Sequence, residues 1–230
     1  VLGSALDVDG DLTIKDESVL DVSASNYAIT LSGSWMNKTG EDGFTKRSGT
    51  VTLDGGDQTV SGSTLFHSMS KIVTTAQTLT FDDGGKQSFS GTLTLNGADS
   101  NLLSIRSLNG GSAASITLDS GGSQDLTYLD VQDSDATGDT ELDCSDGTCM
   151  DSGNNTNWLF IPTVTITGTA YSDEGVTPLA SKTVALSVSG ASAFTSAETD
   201  AGGQYTITAT GADIAGAVLT VFLLDETEDF

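Results

Sequence analysis

The feature that most constrains this chain is a three-residue unit, apolar–Thr–apolar, that keeps returning. It occurs as Leu12-Thr13-Ile14, Ile29-Thr30-Leu31, Val51-Thr52-Leu53, Leu79-Thr80-Phe81, Leu93-Thr94-Leu95 and Ile116-Thr117-Leu118. Successive side chains of an extended strand point to opposite sides, so each unit puts two apolar groups on one face and a threonine on the other. β-Branched residues dominate the units, as strands favour. Between them stand Asp-Gly or Asn-Gly pairs, among them Asp9-Gly10, Asp54-Gly55, Asn96-Gly97 and Asp146-Gly147, which tolerate the positive φ of tight turns. No stretch keeps helical spacing over three turns, so the chain reads as all-β.

The units begin at Leu12, Ile29, Val51, Leu79, Leu93 and Ile116, in unequal steps. A hairpin meander would step more regularly and in shorter strides. Steps of roughly twenty residues suit a solenoid, in which each coil stacks on the last. A second repeat points the same way: Gln58-Thr59-Val60-Ser61-Gly62 and Gln87-Ser88-Phe89-Ser90-Gly91 match in pattern. The competing architecture is a plain β-sandwich. A solenoid requires all twelve apolar residues of the units to point inward.

Of the 230 residues, 32 are acidic and 8 basic, a net charge of −24. Phosphate binding needs Lys and Arg to displace counterions, so nucleic acid is a poor partner. Anionic lipid surfaces would repel the chain, and no apolar run reaches the ~18 residues of a membrane helix. The first residue is Val1, which reads as a mature product or a piece of a larger protein. Cys144 and Cys149 sit five apart in a loop rich in Gly and Asp. That spacing can close a small disulfide, which would favour an oxidising compartment; the alternative is two free thiols. One distant His67 does not complete a zinc set.

Residues 1–160 resemble the right-handed parallel β-helix of pectin-lyase-like bacterial surface proteins and very large secreted adhesins. The resemblance rests on the repeated units, on Gly91-Thr92-Leu93-Thr94-Leu95-Asn96-Gly97 and on Leu126-Thr127-Tyr128-Leu129-Asp130-Val131-Gln132-Asp133-Ser134. It closes with Ser152 to Phe160, similar to the end of such modules. Ile161-Pro162 then marks a boundary, because proline restricts the residue before it and ends strand pairing. Residues 161–230 resemble the carboxypeptidase-regulatory-like, or transthyretin-like, β-sandwich. Expected strands there are Val164–Ala170, Thr183–Val188, one entered from the Thr199–Tyr205 turn, and Val218–Leu224. A module of that kind is usually longer, so a strand from another chain is expected to complete it.

The candidate sites are few. Asp130, Asp133, Asp135, Asp139, Glu141, Asp143, Asp146 and Asp151 crowd eight carboxylates into one short segment. Hard oxygen ligands of this kind suit Ca²⁺, with Asp130, Asp133, Asp135 and Asp139 as the candidate ligands; the alternative is a hydrated acidic loop. Asp7, Asp9 and Asp11 form a second calcium candidate, although Leu12 and Ser18 stand where a helix-loop-helix calcium loop requires Gly and Glu. Asn37-Lys38-Thr39 and Asn154-Asn155-Thr156 fit the N-glycosylation pattern. Trp35 and Trp158 read as core or cap residues, and His67 as structural. Val218, Leu219, Val221 and Leu223 are the candidate assembly edge.

These features favour a secreted or cell-surface structural protein over an enzyme. The expected role is a subunit of a fibre, sheath, surface layer or adhesin stalk that joins copies of itself head to tail. The alternatives are a carbohydrate-active β-helix enzyme, which needs two placed carboxyl groups in a cleft, and a passive glycan- or calcium-binding module.

Overall fold

Each apolar–Thr–apolar unit is a β-strand or part of one, and each pairs in parallel with a strand of a neighbouring turn. A computed structural model describes residues 1–160, 163–173, 175–191, 194–211, 214 and 217–224. The chain divides into two compact units, Val1–Phe160 and Ile161–Phe230. The expected breakpoint Ile161-Pro162 itself lies outside the described residues.

The first unit is a parallel β-solenoid of about seven turns. Its first sheet stacks Leu6–Val8, Ile29–Leu31, Thr50–Leu53, Ser68–Ile72, Thr92–Asn96 and Ser123–Thr127. Its second runs from Leu12–Ile14 through Trp35–Asn37, Gln58–Ser61, Gln77–Phe81, Leu103–Ser107 and Leu129–Val131 to Met150–Asp151. Its third joins Thr64–Phe66, Lys86–Phe89, Ala114–Leu118, Ser134–Asp135 and Asn155–Thr156. Two short parallel pairs, Leu20–Asp21 with Phe44–Thr45 and Leu142–Cys144 with Trp158–Phe160, complete it.

All twelve apolar residues of the units are buried, Leu12 being the most accessible at 9%. They belong to one continuous core. Fully burying a Leu, Ile or Phe contributes about 1.5–3 kcal/mol, so the stack of inward rungs is the main source of stability. Trp35, Phe44, Phe66 and Phe89 extend the core as an aromatic run, with Phe66 stacked on Phe89 at 5.5 Å. The indole of Trp35 donates to Thr64 Oγ1 and that of Trp158 to Ser134 Oγ, so both tryptophans are packing residues.

Turn length is uneven. On the first sheet Ile29 lies opposite Val51, Val51 opposite Met69, Met69 opposite Leu93 and Leu93 opposite Gln124. The step from Val51 to Met69 is the shortest of these and that from Leu93 to Gln124 the longest. The six units do not occupy one face. Ile29, Val51 and Leu93 lie on the first sheet, Leu12 and Leu79 on the second, and Ile116 on the third. The two Gln-containing pentapeptides likewise fall on the second and third sheets. Thr117 also departs from the pattern: it is buried, its hydroxyl 2.9 Å from that of Ser88. Thr140 pairs with Leu118, so the segment around Gly138 covers this outward side.

The second unit contains two small antiparallel sheets. Thr163–Thr169 pairs with Gln204–Thr210. Thr183–Val188 lies between Phe194–Glu198 and Leu219–Leu223. Val184 and Leu186 of one sheet share a small core with Ile207 and Ala209 of the other. The Thr199–Tyr205 turn forms as its residues dictate. Asp200 Oδ1 accepts the N–H groups of Gly202 and Gln204, and Gly203 sits at φ 72° where a Cβ would meet the Ala170 carbonyl at 2.7 Å. Phe194–Glu198 is a strand that the sequence did not announce.

Candidate functional site

The most unusual local chemistry lies inside the solenoid. Strand Ser68–Ile72 points Met69 and Lys71 inward. Lys71 pairs with Leu95, which pairs with Leu126, so an ammonium interrupts a leucine column. Its exposure is 0%. Lys71 Nζ donates to Gly55 O at 3.0 Å, Gly56 O at 2.9 Å and Gln58 Oε1 at 2.7 Å. Gln58 is 2% exposed, and its Nε2 donates to Leu31 O at 2.9 Å and Gly33 O at 2.6 Å. Burial pulls the Lys71 ammonium down to about 8 from its ordinary 10.5, while Asp57 and Asp54 act in the opposite direction. In the sequence Lys71 is one of only eight basic residues. The available signal was parity: Lys71 stands two positions from Met69, on the same inward side.

The acidic segment is organised differently from a metal site. Asp130 pairs with Arg106 and accepts the Ser152 hydroxyl. Asp133 is 5% exposed and accepts the Gly111 N–H at 3.0 Å and the Asn154 side-chain amide at 2.6 Å. Those two bonds hold its carboxyl below the ordinary range, against the effect of burial. Asp135 accepts Thr137 N–H and Asp139 accepts Ser120 N–H. Asp143, Asp146 and Asp151 each accept the N–H two positions on, at 2.9 Å. This is the Asx-turn geometry that favours Asp at corners. At the other end Asp11 accepts Ser34 N–H, and Asp7 lies on the first sheet opposite Thr30. Among the described residues no group of three or more His, Cys, Asp or Glu side chains is arranged to hold a metal ion. The candidate ligands Asp130, Asp133, Asp135, Asp139, Asp7, Asp9 and Asp11 are thus not gathered into one.

Cys144 and Cys149 form a disulfide. Cys144 is buried beside the final turns, and the loop it closes positions Thr148, whose hydroxyl accepts Tyr128 N–H at 2.8 Å. Asn37 of the first glycosylation pattern is 2% exposed and donates to Gly40 O and Ser63 O, so it is a structural amide in the folded chain. Asn154 of the second is exposed but is bonded to Asp133. His67 is half-buried with Nδ1 3.0 Å from the Ser68 hydroxyl.

Leu219–Leu223 pairs with Thr183–Val188 and is the outer strand of its described sheet. Leu219 and Leu223 pack into the small core, whereas Val218 is 72% and Val221 36% exposed. Such a strand offers one row of backbone N–H and C=O groups for pairing. No protein-family model, curated protein or solved structure matches this chain.

Proposed function

We propose that this chain is an extracellular structural protein, a subunit or module of a surface fibre, sheath, surface layer or adhesin stalk, whose copies join through β-strand contacts. The observation that carries this reading is the outer strand Leu219–Leu223, a template for strand addition, in the same chain as a solenoid filled by side chains along its length. In this reading the solenoid is the right-handed, pectin-lyase-like form and acts as a stiff spacer. The second unit is a transthyretin-like sandwich completed by a strand from another chain. The disulfide supports an oxidising compartment. Cations, Ca²⁺ among them, favour contact by screening the charge of −24, and glycans are a secondary partner.

Negative-stain electron microscopy of the purified chain tests this. Linear or lattice assemblies that lengthen with concentration support it. Single particles at every concentration, with and without Ca²⁺, reject it.

A further inference from the structure

We propose that Lys71 is a register lock, a buried cation that admits only one alignment of the fourth turn of the solenoid on the third. The need for one follows from the repeat itself. A one-residue slip of a strand turns its apolar residues outward and is forbidden, but a two-residue slip preserves the inward set. Neighbouring rungs are chemically alike: Val51-Thr52-Leu53 lies under Met69-Ser70-Lys71, which lies under Leu93-Thr94-Leu95. The turn from Val51 to Met69 is little more than half as long as that from Leu93 to Gln124, so the corners are able to absorb a pair of residues. Apolar packing alone therefore discriminates weakly between alignments related by such a slip.

Lys71 removes that ambiguity. Its three acceptors lie on the turn before it, at Gly55, Gly56 and Gln58. Gln58 is itself tied to the turn before that, through Leu31 O and Gly33 O. A two-residue slip moves the ammonium by about 6.6 Å along the strand. The charge is then stranded among leucines and the corner carbonyls lose their donor. Buried polar groups of this kind are best attested as devices that fix register, often at a cost in stability.

Cross-linking across the turns tests this directly. Ser70 lies opposite Thr52 and both point outward. A chain carrying Thr52→Cys and Ser70→Cys reports the native alignment, since opposed strand positions lie within disulfide reach. One carrying Thr52→Cys and Ile72→Cys reports the slipped alignment. Both are oxidised during refolding, and linked peptides are quantified by mass spectrometry apart from those of Cys144–Cys149. With Lys71 present, the native pair should dominate. With Lys71→Met, the ratio of slipped to native cross-link should rise about tenfold, the change that about 1.4 kcal/mol of lost discrimination produces. Should Lys71→Met alone fail to fold, Lys71→Met with Gln58→Leu removes both partners and leaves the column apolar. An unchanged ratio in the folded variant overturns the proposal.

Discussion

Gln87 Nε2 donates to the carbonyl of Gly62 at 2.9 Å, across 25 residues. Gln58 makes the same reach to Gly33, also across 25 residues. Gly62 closes the first Gln-containing pentapeptide, so the second pentapeptide fastens onto the end of the first. Gly62 is required there: it sits at φ 72°, and a Cβ would lie 1.9 Å from the Asn37 carbonyl. The repeat thus records a corner joint, made on two different faces.

The two glutamines should not be equivalent. Gln58 makes three bonds, one of them to Lys71, whereas the buried Oε1 of Gln87 has no partner. Replacing Gln87 by Leu should cost about 1 kcal/mol, and replacing Gln58 by Leu about 3 kcal/mol, because the latter takes one of three acceptors from the buried Lys71 ammonium and leaves the Leu31 and Gly33 carbonyls without their side-chain donor. Urea unfolding midpoints of the two variants make the comparison.

Rung residues and outward threonines should separate cleanly. Leu79 is 0% exposed in the core, so Leu79→Ala should cost about 2–5 kcal/mol. Thr80 points outward, and Thr80→Ala should stay within about 0.5 kcal/mol. Thermal denaturation monitored by circular dichroism is sufficient.

Most of the solenoid was legible because strand parity is written in the chain: Leu12 to Leu118 alternate with threonine and all twelve point inward. What was not legible was which face each unit joins. Corners of different length separate Leu79 from Leu93 and Leu93 from Ile116, and spacing alone does not distinguish a change of turn from a change of face. Phe194–Glu198 escaped because its residues, Phe-Thr-Ser-Ala-Glu, carry little apolar alternation and depend on pairing with Thr183–Val188. The abundance of aspartate suggested a cation site, yet Asp135, Asp143, Asp146 and Asp151 are bound to nearby backbone N–H groups. Such local turn chemistry looks the same in a sequence as a cluster of ligands.

Lys71 gives a signed alkaline response. Its folded value is about 8 against an ordinary 10.5. Below about 8 both states carry the proton; between the two values the unfolded chain binds more protons. This group therefore makes stability rise with pH across that window, by at most about 1.4 kcal/mol per pH unit. The increment should be absent from Lys71→Met. Urea midpoints of both proteins at about pH 7.5, 9 and 10, compared pairwise, isolate it; identical pH dependence would contradict the assignment.

The Cys144–Cys149 link closes a loop of few residues, so its loss should cost about 2 kcal/mol by the chain-entropy argument. Alkylation of the unreduced chain should label neither sulfur. After reduction, hydrogen exchange should quicken first around Tyr128, whose N–H is held by Thr148 in that loop. Labelling of both thiols without reductant would contradict the bond.

Copies of this chain should join through the strand Leu219–Leu223. Light scattering over a concentration series, on the unaltered chain and on Val221→Lys, tests it most directly, because a lysine on an edge strand blocks strand addition without burying charge. Mass that grows with concentration in the unaltered chain, and stays monomeric in Val221→Lys at unchanged melting temperature, is the predicted result. A monomer in both, with and without Ca²⁺, would contradict it.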